Sequence, residues 1–296
     1  MALAPRVVVV HRATELEELV DRHGTRGQAE FFLRSRGRSI AEAQARHDAL
    51  GEALAAVSAS VPADWRRGSV ERQDLHRFAF EAEDVCVVVG QDGLVANVAK
   101  YLRDQAVIGV DPEPGRNVGA LVRHRVRAVP ALLEAVVRGG ARVEPRALVR
   151  AELDDGSAVE ALNDVYVGHA SHQSARWELH VPDGRVEAQS SSGLLVTTGT
   201  GSTGWAASVA RERGGLVLPG TGSSDLAWFV REAWPSPTTG TDLTAGVLPP
   251  DAALRVVVRS DALVAFGDGL EADRLTATWG QAVDLTVSRR RLRLVV

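Results

Sequence analysis

The sequence has one cysteine, one lysine and no long hydrophobic run. Cys86 has no partner for an intramolecular disulfide, so we expect a reducing compartment, the cytoplasm of a prokaryote or its equivalent. No run of about 18 apolar residues is present to span a bilayer, and residues 1–10 lack the pattern of a secretion signal. A membrane is therefore not expected as a partner.

The scarcity of lysine excludes a specific kind of phosphate site. Lys100 is the only lysine among 34 basic residues, and no lysine follows the glycines at residues 199–204, so a Walker loop is excluded there. The formal net charge of −4 gives no general reason to expect nucleic acid as a partner. With 45% hydrophobic and 24% charged residues in 296, the chain has the composition of a folded protein of two domains or one large one.

Residues 1–128 carry the pattern of an α/β domain with an open, mostly parallel sheet. Short β-branched runs have the composition of buried strands, at residues 6–10, 84–89 and 106–110. Apolar residues recur at helical spacing in residues 40–57 and 94–102. In such a sheet, ligands bind outside the carboxyl ends of the strands.

Residues 129–280 predict a second, β-rich domain. Its strand candidates are short and separated by glycine and aspartate turns: residues 165–167, 177–181, 194–198, 254–258 and 263–266. Turns at residues 154–156 and 182–184 favour hairpins. The tail, residues 281–296, offers two alternating runs that are able to pair back onto the first domain.

The segment Gly90-Gln91-Asp92-Gly93 lies between a predicted strand and a predicted helix. Glycines at such a junction let backbone N–H groups approach phosphate oxygens, and the start of a helix favours negative charge. Asp92 repels a phosphate unless it binds a metal or takes a proton from an attacking hydroxyl group. The simpler interpretation is an Asp-Gly turn that connects strand and helix.

Residues 197–204 are small or hydroxylated, and they lie between a predicted strand and a short helix. This composition is typical of a nucleotide-binding loop. Residues 199–204 also match the dinucleotide fingerprint, with Asp225 downstream, but the helix that follows is too short for a Rossmann unit. The structural alternative is a polar loop in which Ser202 or Thr203 caps the helix.

Weaker candidates lie outside these two segments. Asn163-Asp164 precedes a predicted strand and, taken alone, is an ordinary turn sequence. His169 and His172 have no third ligand at metal spacing, so we expect ordinary histidines. The basic residues of segment 116–127 favour a solvated helix face over a phosphate contact.

Taken together, the 90–93 loop, the Asn163-Asp164 pair and the 198–202 segment resemble the NAD kinase family, in the same order and with similar spacing. The resemblance covers most of the chain. It is strongest to the branch that includes the mitochondrial NAD kinases, because of the long helical segment after the first strand, the Ser-Ser-Gly at residues 191–193 and the Thr-Gly-Thr-Gly-Ser at residues 198–202. It implies a kinase that transfers a phosphoryl group from ATP or polyphosphate to the adenosine-ribose 2′-hydroxyl of NAD, giving NADP.

The resemblance also implies roles for individual residues. Asp92 is implied to be the general base, while Asn163 and Asp164 hold the adenosine ribose and the diphosphate of NAD. Further contacts to NAD are implied for Gly93, Thr203, Gly204, Trp205 and Ser208, with Trp205 in the place of the family's tyrosine beside adenine. The residues implied to line the phosphates of the donor are Gly90, Gly93, Gly199, Thr200 and Gly201.

The same resemblance implies that Mg²⁺ or Mn²⁺ accompanies the ATP or polyphosphate donor, without assigning metal ligands among the protein side chains. It also implies a homodimer or larger assembly.

Two residues depart from the family pattern, because Gln91 replaces its second glycine and Leu94 replaces a threonine. If that glycine needs a positive φ, a side chain there costs about 1 kcal/mol. A lapsed NAD(H)-binding regulatory protein, a kinase for another small alcohol and a Rossmann dehydrogenase are therefore alternatives.

Overall fold

A computed structural model describes residues 4–115 and 119–296, and the chain divides into two units. The first unit comprises Met1–Glu144 and Arg293–Val296, and the second unit comprises Pro145–Leu292. Among the described residues, no helix is long and apolar enough to cross a membrane.

The division between the units lies later in the chain than residue 128, where we predicted it. The reason is a helix, Val129–Val137, whose Val129 and Leu133 side chains lie in the hydrophobic core of the first unit. The sequence suggested that helical periods end near this point, but they continue for one more helix.

The first unit alternates strands and helices around a parallel sheet. Its elements are β1 (Arg6–His11), α1 (Glu15–His23), α2 (Arg26–Arg34), α3 (Ile40–Ser60), β2 (Arg66–Glu71), β3 (Asp84–Val89), α4 (Asp92–Ala99), β4 (Ala106–Val110) and α5 (Val129–Val137). The strand order is β2, β1, β3, β4, and all of these neighbours are parallel. At the end of the chain, Arg293 and Leu294 pair in parallel with β4.

Burial explains why these runs become strands. Val7, Val87 and Ile108 of the sheet pack with Val57 of α3 and Leu133 of α5, and each of the five is almost completely buried. β-branched residues fill such a doubly covered sheet well. The prediction of an open, mostly parallel α/β domain is confirmed.

The second unit contains one α-helix and two β-sheets. Its elements continue with β5 (Val143–Leu153), β6 (Ala158–Ala161), β7 (Asp164–Gly168), β8 (Ala175–His180), β9 (Val186–Ser191), β10 (Gly193–Thr197), α6 (Trp205–Glu212), β11 (Leu226–Arg231), β12 (Ala245–Leu248), β13 (Ala253–Val258), β14 (Ala262–Gly267), β15 (Leu270–Thr278) and β16 (Ala282–Val295). β5 starts, and β16 ends, within the first unit. The two predicted tail runs are therefore one continuous strand.

The two sheets of the second unit pack face to face. One sheet has the order β16, β13, β8, β9, with β5 pairing β16 and β6, and the other has the order β12, β11, β10, β7, β14, β15. Trp177 and Leu179 of the first sheet share a core with Val165, Val196 and Trp228 of the second. α6 covers part of the opposite face of the second sheet. The predicted β-rich domain is confirmed.

Two alternatives from the sequence are settled by this topology. β10 and β11, the strands before and after α6, are antiparallel, so residues 199–204 do not belong to a Rossmann unit, whose strands are parallel. In the basic segment 116–127, residues 116–118 lie outside the described residues. The remainder carries only a short 3-10 helix that begins at Val126, so the expected solvated helix face is wrong there.

A buried ion pair joins β1 and β3, and its loss should weaken the first unit. Arg6 Nε and Nη2 each donate to an Asp84 carboxylate oxygen at 2.6 Å, and the Asp84 side chain is fully buried. Because Arg6→Met leaves a buried charge unpaired, we predict that it lowers the free energy of unfolding by about 3 kcal/mol in guanidinium titrations. Arg34→Met, which breaks an exposed pair with Glu30, should cost less than about 1 kcal/mol. Equal losses would contradict this interpretation.

Candidate functional site

The carboxyl end of β3 leads directly into α4. The helix begins at Asp92 and not at residue 94 as predicted, so Asp92 and Gly93 lie in its first turn. Gln91 is extended, with φ −104° and ψ 164°, a conformation that any residue adopts. The backbone strain considered for Gln91 therefore does not arise, and this departure from the family pattern has no conformational cost.

The Asp92 carboxylate is held by three backbone N–H groups of one loop. Its Oδ1 accepts hydrogen bonds from Leu121 and Val122, both at 2.9 Å, and its Oδ2 accepts one from Ala120 at 2.8 Å. These bonds tie the segment after β4 to the start of α4. Because a carboxylate accepts about four hydrogen bonds, Asp92 keeps about one position, on Oδ2, for a further donor.

Gly93 faces open space beside this carboxylate. A side-chain carbon placed at Gly93 would meet no described atom within 4 Å, whereas one placed at Gly90 would lie 3.1 Å from Leu94 Cδ2. Leu94 itself is buried, and Gln91 forms no side-chain cap for the helix. At the start of α4, Gln91 and Gly93 are exposed and Asp92 is half-buried, and N–H groups without a side-chain cap favour a negatively charged ligand there.

In the second unit, hydrogen bonds join the Asn163-Asp164 pair to the segment after β10. Thr198 N donates to the Asn163 carbonyl at 2.9 Å, and Thr198 Oγ1 donates to the Leu162 carbonyl at 2.6 Å. Thr197 Oγ1 also donates to the Asn163 carbonyl, at 3.2 Å. Two motifs that are far apart in the sequence are thus in direct contact. We call residues 198–204 the 198–204 loop and residues 162–164 its support.

The glycines of this loop are required by its internal packing. A side-chain carbon at Gly199 would overlap the carbonyl oxygen of Gly220, and one at Gly201 would overlap the carbonyl oxygen of Asn163. Both glycines are buried. Close backbone approach therefore accounts for them before any phosphate is considered.

The hydroxyl groups of the loop are used differently from what we expected. Ser202 Oγ donates to the Thr198 carbonyl and Thr203 Oγ1 to the Thr200 carbonyl, so neither caps α6, whose N-cap is Gly204. The structural alternative that assigned the cap to Ser202 or Thr203 is therefore wrong. Thr200 Oγ1 is buried without a hydrogen-bond partner among the described residues, although buried polar groups normally have one.

The start of α6 is open to solvent. Thr203, Gly204, Trp205 and Ser208 are exposed. Trp205 is 40% exposed and stacks on Tyr166, with ring centroids 6.1 Å apart and an angle of 27° between the planes. An exposed indole held in this way can receive a flat aromatic ligand.

Tyr166 is held rigidly under Trp205. Its hydroxyl group donates to the Ser192 carbonyl at 2.6 Å, and side-chain carbons at Gly168 or Gly193 would overlap its ring. Arg231 adds a cation–π contact, with its guanidinium carbon 5.2 Å from the Trp205 ring centroid.

Two carboxyl groups lie at the support of the loop. Asp268 accepts hydrogen bonds from Leu162 N at 2.9 Å and from Asn163 N at 2.7 Å, and its own N–H donates to the Asp164 carbonyl at 3.0 Å. Asp164 is half-buried. Burial, and secondarily the charge of Asp268, raises the pKa of Asp164 to about 7.

Sequence reasoning missed Tyr166 and Asp268, although a signal exists for each. Tyr166 follows Asp164 by two positions on β7, so both side chains lie on the same face of the sheet. Asp268 stands in a Gly-Asp-Gly turn between β14 and β15 and has a positive φ of 54°, which marks a turn position worth inspection.

The remaining candidates have no role in this arrangement. Cys86 is fully buried in β3, and burial raises the pKa of its thiol, so it is an inert core residue. Within the described part of the chain, no group of three or more histidine, cysteine, aspartate or glutamate side chains is placed to hold a metal, and His169 and His172 form no such site.

Comparison with known proteins finds relatives that share one name, NAD kinase. The chain is 32% identical over 182 residues to an NAD kinase of Heliobacterium modesticaldum, covering 60% of each protein. It is 24% identical over 209 residues to an NAD kinase of Caldicellulosiruptor saccharolyticus, covering 71% of this chain and 75% of the relative. It is 27% identical over 210 residues to the Rattus norvegicus protein named NAD kinase 2, mitochondrial, covering 51% of this chain and 49% of the relative.

The similarity is partial in length. The matched region spans 60% of the Heliobacterium protein and 44% of an NAD kinase of Clostridium kluyveri, less than two thirds of either. No family model matches the chain. The placement in the mitochondrial branch stays a prediction. The resemblance to the NAD kinases that the three motifs indicated is confirmed by these relatives, to which the chain is similar over about half to three quarters of its length.

Proposed function

We propose that the protein is an NAD kinase, which transfers a phosphoryl group from ATP or polyphosphate to the adenosine-ribose 2′-hydroxyl of NAD and yields NADP. The observation that carries this proposal is that hydrogen bonds from Thr198 to the carbonyl groups of Leu162 and Asn163 hold the 198–204 loop against the Asn163-Asp164 segment. These are the two motifs that the family resemblance assigns to the dinucleotide. The names of the relatives support the same activity.

In the proposed complex, the second unit binds the dinucleotide. Asn163 and Asp164 contact the ribose and diphosphate region, and the exposed groups at the start of α6 contact the remainder: Thr203, Gly204, Trp205 and Ser208. The Trp205 indole provides a flat surface for a base. Gly199, Thr200 and Gly201 are proposed to line phosphates, and the Thr200 hydroxyl group, which has no hydrogen-bond partner among the described residues, is proposed to donate to a phosphate oxygen.

In the first unit, the start of α4 is proposed to serve the chemical step. Asp92 accepts the proton of the 2′-hydroxyl through the remaining position on Oδ2, while a bond forms between the 2′-oxygen and the transferred phosphorus. The bond from that phosphorus to the leaving phosphate oxygen breaks, and ADP or a shortened polyphosphate departs. Gly90 and Gly93 leave the uncapped N–H groups of α4 accessible to phosphate oxygens. Because the transition state is loose, positioning dominates catalysis.

We further propose that Mg²⁺ or Mn²⁺ accompanies the donor and is bound by its phosphate oxygens. The described side chains do not form a metal site of their own, so no step is assigned to protein metal ligands. A homodimer or larger assembly and a cytoplasmic location are proposed on the family resemblance and the single buried cysteine.

A direct test of the function is to incubate the protein with NAD and either donor and to measure NADP. Absence of NADP with every donor would overturn the proposal.

Asp92→Asn tests the assignment of the proton acceptor. General-base assistance is worth about 10² to 10⁴ in rate, so we predict a loss of turnover in that range while NAD affinity is retained. Because Asp92 also anchors residues 120–122, thermal unfolding should be measured on the same sample. A variant that stays folded at the assay temperature and turns over normally would show that Asp92 has only a structural role.

Gly93→Ala tests whether a ligand occupies the open space beside Gly93, independently of protein stability. Glycine in a helix is less favourable than alanine by up to about 1 kcal/mol, and the space at Gly93 is open, so the variant should be as stable as the wild type or more stable. If a ligand occupies that space, NADP formation should fall by at least about tenfold, equivalent to about 1.4 kcal/mol.

The matched control is Gly51→Ala, because Gly51 is also a helical glycine of the first unit with open space around it. It should show the same change in stability and normal activity. Equal activity of the two variants would contradict a ligand at Gly93.

Gln91→Gly tests whether the departure from the family pattern impairs catalysis. Since Gln91 is already extended, glycine relieves no strain, and we predict NADP formation within about threefold of the wild type, which corresponds to less than about 1 kcal/mol. A gain of two orders of magnitude would instead show that the glutamine side chain obstructs the donor, and would favour a protein that has lost its original activity.

A further inference from the structure

Residues 219–223, which we call the 219–223 segment, lie directly behind the 198–204 loop. A side-chain carbon placed at Gly199 would overlap the Gly220 carbonyl oxygen and would lie 3.2 Å from Thr221 Cα. The backbones of the two segments are therefore in contact. Where Gly199 lies, and with it the part of the loop proposed to line phosphates, depends on where the 219–223 segment lies.

The 219–223 segment belongs to no helix or strand and is weakly held by its own bonds. Its sequence is Pro-Gly-Thr-Gly-Ser, and a side-chain carbon at either glycine would meet no atom within 4 Å. Its internal hydrogen bonds are those of one turn, in which Ser223 N donates to the Gly220 carbonyl at 2.9 Å and Ser223 Oγ donates to Asp225 at 3.0 Å. Because glycine leaves the backbone free, this turn alone does not press the segment against Gly199.

One buried side chain connects the segment to the sheets. Arg146 lies on β5, a strand of 11 residues, and is 1% exposed. Its Nη1 donates to the Thr221 carbonyl at 2.8 Å. Among the described residues outside 219–225, Arg146 is the one that forms a hydrogen bond to the 219–223 segment. A long strand thus fixes a flexible surface segment through a single guanidinium group.

The core itself gives no reason for an arginine at this position. Ala147, Leu148 and Val149, which follow Arg146 on β5, are buried apolar residues. A buried cation is costly to remove from water, and apolar side chains of similar volume often stabilise a core as well or better. An apolar side chain cannot donate to the Thr221 carbonyl, however. The contact with the 219–223 segment therefore accounts for the guanidinium group.

We propose that Arg146 is a positioning residue for the dinucleotide site. Through the Thr221 carbonyl it holds the 219–223 segment against Gly199, and so keeps the 198–204 loop in the conformation that receives phosphate oxygens. Arg146 is fully buried and touches no ligand itself. The inference rests on the proposed function for the identity of the ligand, NAD, but the effect of Arg146 on the loop is measurable in the free protein.

Hydrogen exchange of the full chain without NAD tests the effect on the loop. The amides of Thr200, Gly201 and Ser202 donate hydrogen bonds within the 198–204 loop. In Arg146→Met, we expect exchange of these amides to accelerate at least about tenfold more than that of the β13 amides, which report the stability of the core. Equal acceleration in both places, or none in the loop, would overturn the inference.

Steady-state kinetics of NADP formation test the effect on the ligand. Arg146→Met should raise the KM for NAD at least about tenfold and keep kcat within about threefold, because a loosened loop weakens binding without changing the reacting atoms. Arg146→Lys keeps a charged donor on a side chain of similar length, so it should recover most of the lost affinity. A KM in Arg146→Lys as high as in Arg146→Met, or a KM unchanged in both, would contradict the proposal.

The matched control is Arg213→Met. Arg213 is a half-buried arginine of the same unit that also donates to backbone carbonyl groups, those of Thr244 at 2.7 Å and Val230, and it forms no bond to the 219–223 segment. Its loss should lower the melting temperature but leave the KM for NAD within about threefold of the wild type. If the two variants raise KM equally, general destabilisation explains the effect and the inference is wrong.

A milder variant covers the case in which Arg146→Met does not fold. Arg146→Gln keeps a polar group in the buried position, but its side chain is too short to reach the Thr221 carbonyl. It should accelerate exchange in the 198–204 loop and raise the KM for NAD in the same way as Arg146→Met. Normal exchange and a normal KM in this variant would overturn the inference.

The outcomes separate this inference from the proposed function. A wild-type protein that forms no NADP with any donor overturns the kinase proposal, and faster exchange in the loop of Arg146→Met would then still support the role of Arg146. NADP formation with an Arg146→Met variant that is normal in exchange and in KM overturns the inference alone. Faster exchange together with a raised KM for NAD supports both.

Discussion

The candidate site of the second unit depends on two carbonyl oxygens, those of Leu162 and Asn163, which accept hydrogen bonds from Thr198. β7 and β10 are neighbours in the sheet, so these bonds continue the pairing beyond the ends of the strands. They press the 198–204 loop onto its support so closely that Gly201 has no room for a side chain. Gly201 and the buried hydroxyl groups of Thr197 and Thr198 are explained by this contact.

At the start of α4, the carboxylate that anchors the following loop is also the proposed proton acceptor. Asp92 holds three backbone N–H groups of the segment after β4, and this fixes its own orientation. A group positioned in this way needs little reorganisation when a hydroxyl donor arrives, which is the condition for efficient general-base catalysis. The same bonds mean that a loss of activity on substitution is informative only when the fold is measured with it.

The sequence predicts the architecture well, because burial periodicity is a strong signal. β3 and β4 have the predicted bounds, and the start of α3 at Ile40 is also correct. The boundary between the units was harder to predict from the sequence. The helix α5 is short, and only the contact of Leu133 with the core of the first unit shows that α5 belongs to that unit. Within the site, sequence spacing identified the motifs but not their bonds: the Asp92 contacts and Asp268 arise from tertiary placement that local composition does not encode.

The buried hydroxyl group that the second unit leaves unpaired is more informative than those that it pairs. Thr200 Oγ1 is the one side-chain hydroxyl of the described chain that is buried without a partner. Folded proteins rarely leave such a group unpaired, because it costs about 1 to 3 kcal/mol. It lies on the 198–204 loop, where Gly199 and Gly201 show that packing is otherwise tight. Poor packing therefore does not explain it. A site that is complete only when a ligand supplies an acceptor accounts for this group, and the phosphates of the proposed dinucleotide are such acceptors.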